Sequence, residues 1–161
     1  LDKINMLMQH IKENFPEITS LLYTINQKSN NTIYDQKIIC YNGKEHIQEE
    51  LDGLLFNIGA KSFFQTNSEQ AKTLYRTTKA LANIKKKDVV YDLYTGTGTI
   101  AQYVAENAKK VIGIESVDDA IRAAKKNAQI NNKTSKLGDT RFSISICDSI
   151  FCECLYSWRS R

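Results

Sequence analysis

Apolar residues near the start of the chain recur every three or four positions. Ile4, Leu7, Met8, Ile11 and Phe15 follow the i, i+3, i+4, i+7, i+11 spacing of one helical face, which predicts an amphipathic helix over residues 2–15 ended by Pro16. The pattern then changes. Residues 18–26, 37–41, 45–51 and 54–58 are short strand-like stretches, punctuated by Asn30-Asn31, Asn42-Gly43 and Asp52-Gly53. Asn-Gly and Asp-Gly favour tight hairpin turns because both central residues of a type I′ turn need positive φ, so this region is expected to form a small antiparallel sheet. From Asn67 the helical period returns, with Ala71, Leu74, Tyr75, Thr78 and Leu81 on one face and Asn67-Ser-Glu-Gln70 in the form of a capping box. Beyond it strands and helices alternate: strand 89–92, helix 99–107, strand 110–114, helix 117–131 and strand 141–147. Alternation with short loops predicts a parallel sheet built from βαβ units. In the last helix Ala120, Ile121, Ala124 and Ala128 are expected to face inward, with Lys125, Lys126 and Asn127 toward solvent. The boundary between the hairpin region and the βαβ region is placed near Ala60.

Composition adds few constraints. The 161 residues are 42% hydrophobic and 25% charged, as in ordinary globular proteins. No apolar run approaches the roughly 18 residues that span a bilayer. Leu1 is not an initiator Met, and no signal-peptide h-region follows. A cytoplasmic location is therefore expected, as is an origin in a longer chain. The net charge of +4 is compatible with a nucleic-acid partner without requiring one. The lysine clusters 85–87, 109–110 and 125–126 read as solvated surface. Cys40, Cys147, Cys152 and Cys154 lack zinc-ligand spacing and are expected to be free thiols, with no metal site.

The chemistry centres on Val89-Val-Tyr-Asp92-Leu-Tyr-Thr-Gly96-Thr-Gly98-Thr-Ile-Ala101. A strand runs into a Gly-x-Gly turn that opens a helix, so the backbone can turn sharply and approach a ligand closely. Glu115 ends the next strand, about 20 residues past the first glycine, where a carboxylate can accept hydrogen bonds from ribose hydroxyls. Gly96-Thr-Gly98-Thr-Ile-Ala101 also satisfies the dinucleotide fingerprint. Asp92 separates the readings: a carboxylate at the strand end would repel a pyrophosphate but suits the cationic amino and sulfonium end of S-adenosylmethionine. That ligand is favoured, with a dinucleotide and a ligand-free turn as alternatives. Asp148, after the third strand, is equally suited to an adenine amino group and to a helix cap.

Upstream, Lys61-Ser-Phe-Phe-Gln65-Thr-Asn67-Ser-Glu-Gln70-Ala71-Lys-Thr-Leu-Tyr75 resembles the F-x-Q-x-N…Q-A…L-Y stretch of the RNA 5-methyluridine methyltransferases, which modify uridines in tRNA and 23S rRNA. Asp92-Leu-Tyr-Thr-Gly-Thr-Gly-Thr-Ile is similar to that family's D-L-Y/F-C-G-x-G block, with Thr95 in place of the usual Cys. Gly113-Ile-Glu115, Ala120-Ile121 and Asn127-Ala128 are similar to its G-x-E…A-I…A…N-A block. The resemblance implies an α/β fold: the first half of a Rossmann-like class I methyltransferase sheet, preceded by a small α+β region with antiparallel hairpins. It divides the chain into a partial central domain over 1–60, the N-terminal half of an S-adenosylmethionine-binding domain over 61–148, and an off-pattern tail over 149–161.

The resemblance also implies roles. Gln65 would contact S-adenosylmethionine, Tyr94 would pack beside it, Glu115 would bind its ribose, and Gly96 and Gly98 would form the loop. Phe63 and Phe64 read as core, with pocket lining as the alternative. The family's chemistry adds a Cys thiolate to uracil C6 and then needs a base to remove the C5 proton. The family supplies both groups from segments after the third strand. Residues 149–161 do not resemble those segments, so no catalytic residue is assigned, and the 161 residues alone are expected not to methylate uridine. A full doubly wound sheet has about six or seven strands, so the third strand is expected to be an exposed edge. The alternatives are a non-catalytic remnant that binds cofactor or RNA weakly, and a fragment of a dinucleotide oxidoreductase.

Overall fold

The computed structural model describes residues 2–134 and the strand 142–146. Helix α1 (Asp2–Asn14) forms where the apolar period predicts it and stops short of Pro16. Only Met8 of its apolar stripe is buried, while Leu7 and Phe15 remain exposed. The Tyr41 hydroxyl ties the helix to the following sheet by donating to Gln9 Oε1 at 3.0 Å.

Strand β1 (Ser20–Tyr23) pairs antiparallel with β2 (Ile39–Gly43), and β3 (His46–Leu51) pairs antiparallel with β4 (Leu54–Gly59). The region thus forms two separate two-stranded sheets instead of the single sheet expected. The two dipeptide turn signals explain the difference. Asp52-Gly53 has φ of 50° and 83° and closes the β3–β4 hairpin, as a type I′ turn requires. Asn42-Gly43 does not reverse the chain into a partner strand. Both residues stay in the β2 ladder, with Gly43 opposite Ser20. A Cβ on Gly43 would lie 2.2 Å from the Thr19 carbonyl oxygen, so glycine is needed there for close approach.

Helix α2 (Ser68–Ala82) starts at Asn67, whose side chain accepts from the Gln70 amide at 3.0 Å, and it ends at Asn83 in the left-handed region. Ala71 and Tyr75 are its buried positions, while Leu74 and Leu81 of the expected face are exposed. Then come β5 (Val89–Leu93), α3 (Thr99–Ala105), β6 (Lys110–Glu115), α4 (Asp118–Thr134) and β7 (Phe142–Ile146). The three strands are parallel in the order β5-β6-β7. Among the described residues β7 is an edge, as expected of the third strand, and β5 is the other. Val90 and Val111 pair on the face where Ala101, Val104 and Ala108 pack. Val89, Tyr91 and Leu93, which alternate to the opposite face, are exposed.

Among the described residues, the largest buried cluster joins the hairpin region to the βαβ region. Leu51, Phe56 and Ile58 of β3–β4 pack with Ala71 and Tyr75 of α2 and Tyr103 of α3, and Phe64 lies against them. Phe56 is fully buried, and burial on that scale stabilises by roughly 1.5–3 kcal/mol. The residues before and after Ala60 therefore share one core.

Helix α4 corrects one expectation. Asn127 does not face solvent; it is 0% exposed, and Asn131 is also buried. Asn127 Oδ1 accepts from the Asn57 amide at 2.9 Å, and Asn131 Oδ1 accepts from the Leu55 amide at 2.8 Å. Asn131 Nδ2 donates back to the Leu55 carbonyl at 3.1 Å and to Gln102 Oε1 at 2.6 Å. Two side-chain amides one helical turn apart thus satisfy β4 backbone groups as a neighbouring strand would. The spacing held the signal: Asn127 and Asn131 lie three residues after the inward Ala124 and Ala128.

Candidate cofactor site

The glycine loop leaves β5 by a reversal at Tyr94, which has φ of 59°. A bulky residue in the left-handed region costs of order 1–3 kcal/mol, and such strain persists where the surroundings enforce it. The enforcement is visible next door. The Thr95 amide donates to the Ile114 carbonyl of β6 at 3.1 Å, and the Thr95 hydroxyl donates to Asp92 Oδ2 at 2.7 Å. The Tyr94 side chain, 66% exposed, is left at the rim of a cavity. Gly98 then caps α3 with φ of 77°, a conformation that favours glycine.

Two carboxylates organise this loop. Asp92 Oδ2 accepts from Thr95 and also from the Ala101 amide at 3.1 Å, so β5 is tied to the first turn of α3. Burial pushes the Asp92 carboxyl above the ordinary carboxylate range, and its bonds from Thr95 and Ala101 only partly offset this. Both bonds fall on Oδ2, and Oδ1 makes none among the described residues. Glu115, nearly buried, accepts from the Gly96 amide through Oε2 at 2.9 Å. Its Oε1 accepts from Ser116 and Val117 at 2.8 and 3.0 Å. A carboxylate offers about four acceptor positions, so three backbone amides leave capacity for one more donor, such as a ligand hydroxyl.

The cavity beside the loop has a volume of about 520 Å³, within the usual range of small-molecule sites. It is lined by Gln65, Asp92, Tyr94, Gly96 and Glu115, so the structure brings together five of the seven residues singled out from the sequence. Gly98 shapes the loop without lining the cavity. Asp148 lies outside the described residues, as do Cys147, Cys152 and Cys154. Phe63 and Phe64 both line the cavity, and Phe64 takes the core role as well. Phe64 packs on the core with its ring 6.1 Å from that of Phe56, whereas Phe63 is 78% exposed at the cavity wall.

Several lining residues were not anticipated. Tyr34, on the long connection between β1 and β2, reaches the cavity, as do Lys61, Leu74 and Val117. Nothing local in the sequence marks Tyr34, because only the tertiary fold brings its loop there. A second cavity of about 370 Å³ shares Lys61, Ser62 and Asp119 with the first and carries His46, Arg122 and Lys126. Arg122 is paired with Asp119. Among the described residues no cluster of His, Cys, Asp and Glu is suited to a metal ion, Cys40 is a free thiol, and no helix is long and apolar enough to cross a membrane.

No family model matches the chain. Among curated proteins it is 53% identical over 131 residues to an uncharacterized RNA methyltransferase of Bacteroides thetaiotaomicron, covering 81% of this chain and 29% of that protein. It is 55% identical over 125 residues to one from Porphyromonas gingivalis, covering 78% and 27%. The chain thus spans under a third of the length of these relatives. Among solved structures it is similar to a Pyrococcus abyssi tRNA (uracil-54, C5)-methyltransferase in complex with S-adenosyl-L-homocysteine. The TM-score there is 0.65 and the identity 30%, over 85% of this chain and 32% of the other. A Methanocaldococcus jannaschii tRNA m1G37 methyltransferase, at 19% identity and a TM-score of 0.56 over 88% of this chain and 40% of the other, shares the fold.

Proposed function

We propose that this chain, which belongs to the RNA methyltransferases, carries the S-adenosylmethionine-binding part of an enzyme that methylates uridine C5 in RNA. The observation that carries the reading is the loop held between two carboxylates. Asp92 and Glu115 converge with Gln65 on one cavity whose other walls include Phe63, Leu74, Tyr94 and Val117. That donor set fits S-adenosylmethionine. Glu115 has acceptor capacity for a ribose hydroxyl, Asp92 supplies negative charge for the cationic amino and sulfonium groups, and the apolar side chains would flank the adenosine. Bound there, the cofactor supplies an electrophilic methyl group. The chain's own residues would bind it, orient it through the hydrogen-bonded loop and cover it with the aromatic side chains at the cavity wall.

RNA is the partner class. Lys61, Arg122 and Lys126, beside the cofactor cavity, suit a phosphate backbone. Within RNA, 23S rRNA is the proposed substrate. The name of the Pyrococcus neighbour favours tRNA as the second reading.

The test is methyl transfer from labelled S-adenosylmethionine to each RNA by the native protein that carries this sequence, with digestion of the product to nucleosides. The proposal expects 5-methyluridine in rRNA. 5-Methyluridine in tRNA alone selects the second reading, and label on a purine or on a ribose contradicts both.

A further inference from the structure

We infer that Asn127 is a positioning residue for the glycine loop and couples the β3–β4 hairpin to the cofactor pocket. The inference rests on the cofactor reading above. Asn127 lies on α4 and does not itself line the cavity, yet its one amide engages two distant segments, one of which, at Thr97, does line it. Oδ1 accepts from the Asn57 amide of β4 at 2.9 Å. Nδ2 donates to the Thr97 carbonyl at 3.3 Å and to the Asn57 carbonyl at 3.4 Å. Thr97 is the residue between Gly96 and Gly98.

A glycine-flanked peptide is the softest part of the loop, so fixing its carbonyl fixes the direction of the neighbouring amides. The Gly96 amide at one side is held by Glu115, and the Gly98 amide is bonded to the Thr95 carbonyl at 2.8 Å. The Thr97 hydroxyl is shared with that of Thr99 at 3.0 Å. Asn127 supplies the tether from the side away from the ligand. Because Asn127 is fully buried, its amide cannot exchange these partners for water without leaving β4 backbone groups unsatisfied. A shift of the hairpin is therefore transmitted to the loop, and an ordered loop steadies the hairpin.

Asn131 provides an internal comparison. It makes the equivalent clamp on Leu55 but reaches Gln102 instead of the loop. The experiment compares Asn127→Asp, Asn127→Leu and Asn131→Leu by thermal melting, amide NMR and S-adenosylhomocysteine calorimetry. Asn127→Asp keeps the acceptor for Asn57 and removes the donor to Thr97. Both Asn127 variants are expected to shift the Thr97 and Gly98 amide resonances and to weaken ligand binding about tenfold, a usual strength for coupling between sites. Asn131→Leu should lower the melting temperature comparably and leave affinity and loop resonances unchanged. Folded Asn127 variants that bind like the wild type overturn the inference, as does equal weakening by Asn131→Leu.

If the variants do not fold, amide exchange in the wild-type chain decides. Saturating S-adenosylhomocysteine should slow exchange at the Asn57 amide, and unchanged exchange there contradicts the coupling. A wild-type chain that binds no S-adenosylhomocysteine sinks the cofactor reading instead. The loop resonances of the ligand-free Asn127 variants then still decide the positioning role.

Discussion

The Asp92 carboxyl is half-buried beneath the glycine loop, and burial holds its pKa above the ordinary carboxylate value of 3.8. A raised folded-state pKa means that the ionised form is the costly one in the fold. The contribution of this group to stability is present at low pH and is lost as pH rises through the raised value. Asp92→Asn should therefore leave the melting temperature at pH 7 unchanged or higher. The same substitution should weaken S-adenosylmethionine by roughly 1.5–3 kcal/mol, the worth of a hydrogen bond to a charged group. S-adenosylhomocysteine, which lacks the sulfonium charge, should be affected less, and calorimetry with both ligands checks the difference. Glu115→Ala differs because it strands the amides of Gly96, Ser116 and Val117. It should cost roughly 1–3 kcal/mol in a denaturant titration as well as ligand affinity. The sequence shows both carboxylates by their register with the glycines. It does not show that each also ties loop backbone, because those bonds depend on where the Gly96 and Ala101 amides fall in three dimensions.

Among the elements, the β3–β4 turn does more than reverse the chain. Asp52 accepts from Arg76 Nε of α2 at 2.8 Å and also from Tyr103 of α3, and these partners, Arg76 foremost, hold its pKa down to about 2. A depressed folded-state value gives stability that is present above 3.8 and is lost as pH falls toward about 2. Arg76→Ala should lower the melting temperature slightly at pH 7, by the little that an exposed pair contributes, and flatten the acid side of the profile so that variant and wild type converge as pH falls toward about 2. The α2 cap is a separate device: Asn67→Ala should cost about 1 kcal/mol in a denaturant titration. The cap and the Asp52-Gly53 turn are readable from local chemistry, since each signal and its effect lie within four residues. Asn42-Gly43 carries the same local signal as Asp52-Gly53. It behaves differently because Gly43 meets Thr19, a contact that no local window contains.

Across the whole molecule, the strand–helix alternation predicts the parallel sheet, and the apolar period locates the helices to within a few residues. What stays hidden is how the hairpins join that sheet. The joint is made by a shared cluster around Phe56 and by two buried asparagines that polarity alone assigns to the surface. The result is a packed, hydrogen-bonded frame behind one loop, proposed to hold S-adenosylmethionine. Titration of the chain with S-adenosylhomocysteine and, separately, with NADH, each repeated with Glu115→Ala, tests that proposal most directly. S-adenosylhomocysteine should bind saturably, Glu115→Ala should abolish that binding, and NADH should show no comparable binding. Tighter binding of NADH, or S-adenosylhomocysteine binding that survives the loss of Glu115, would contradict the proposal.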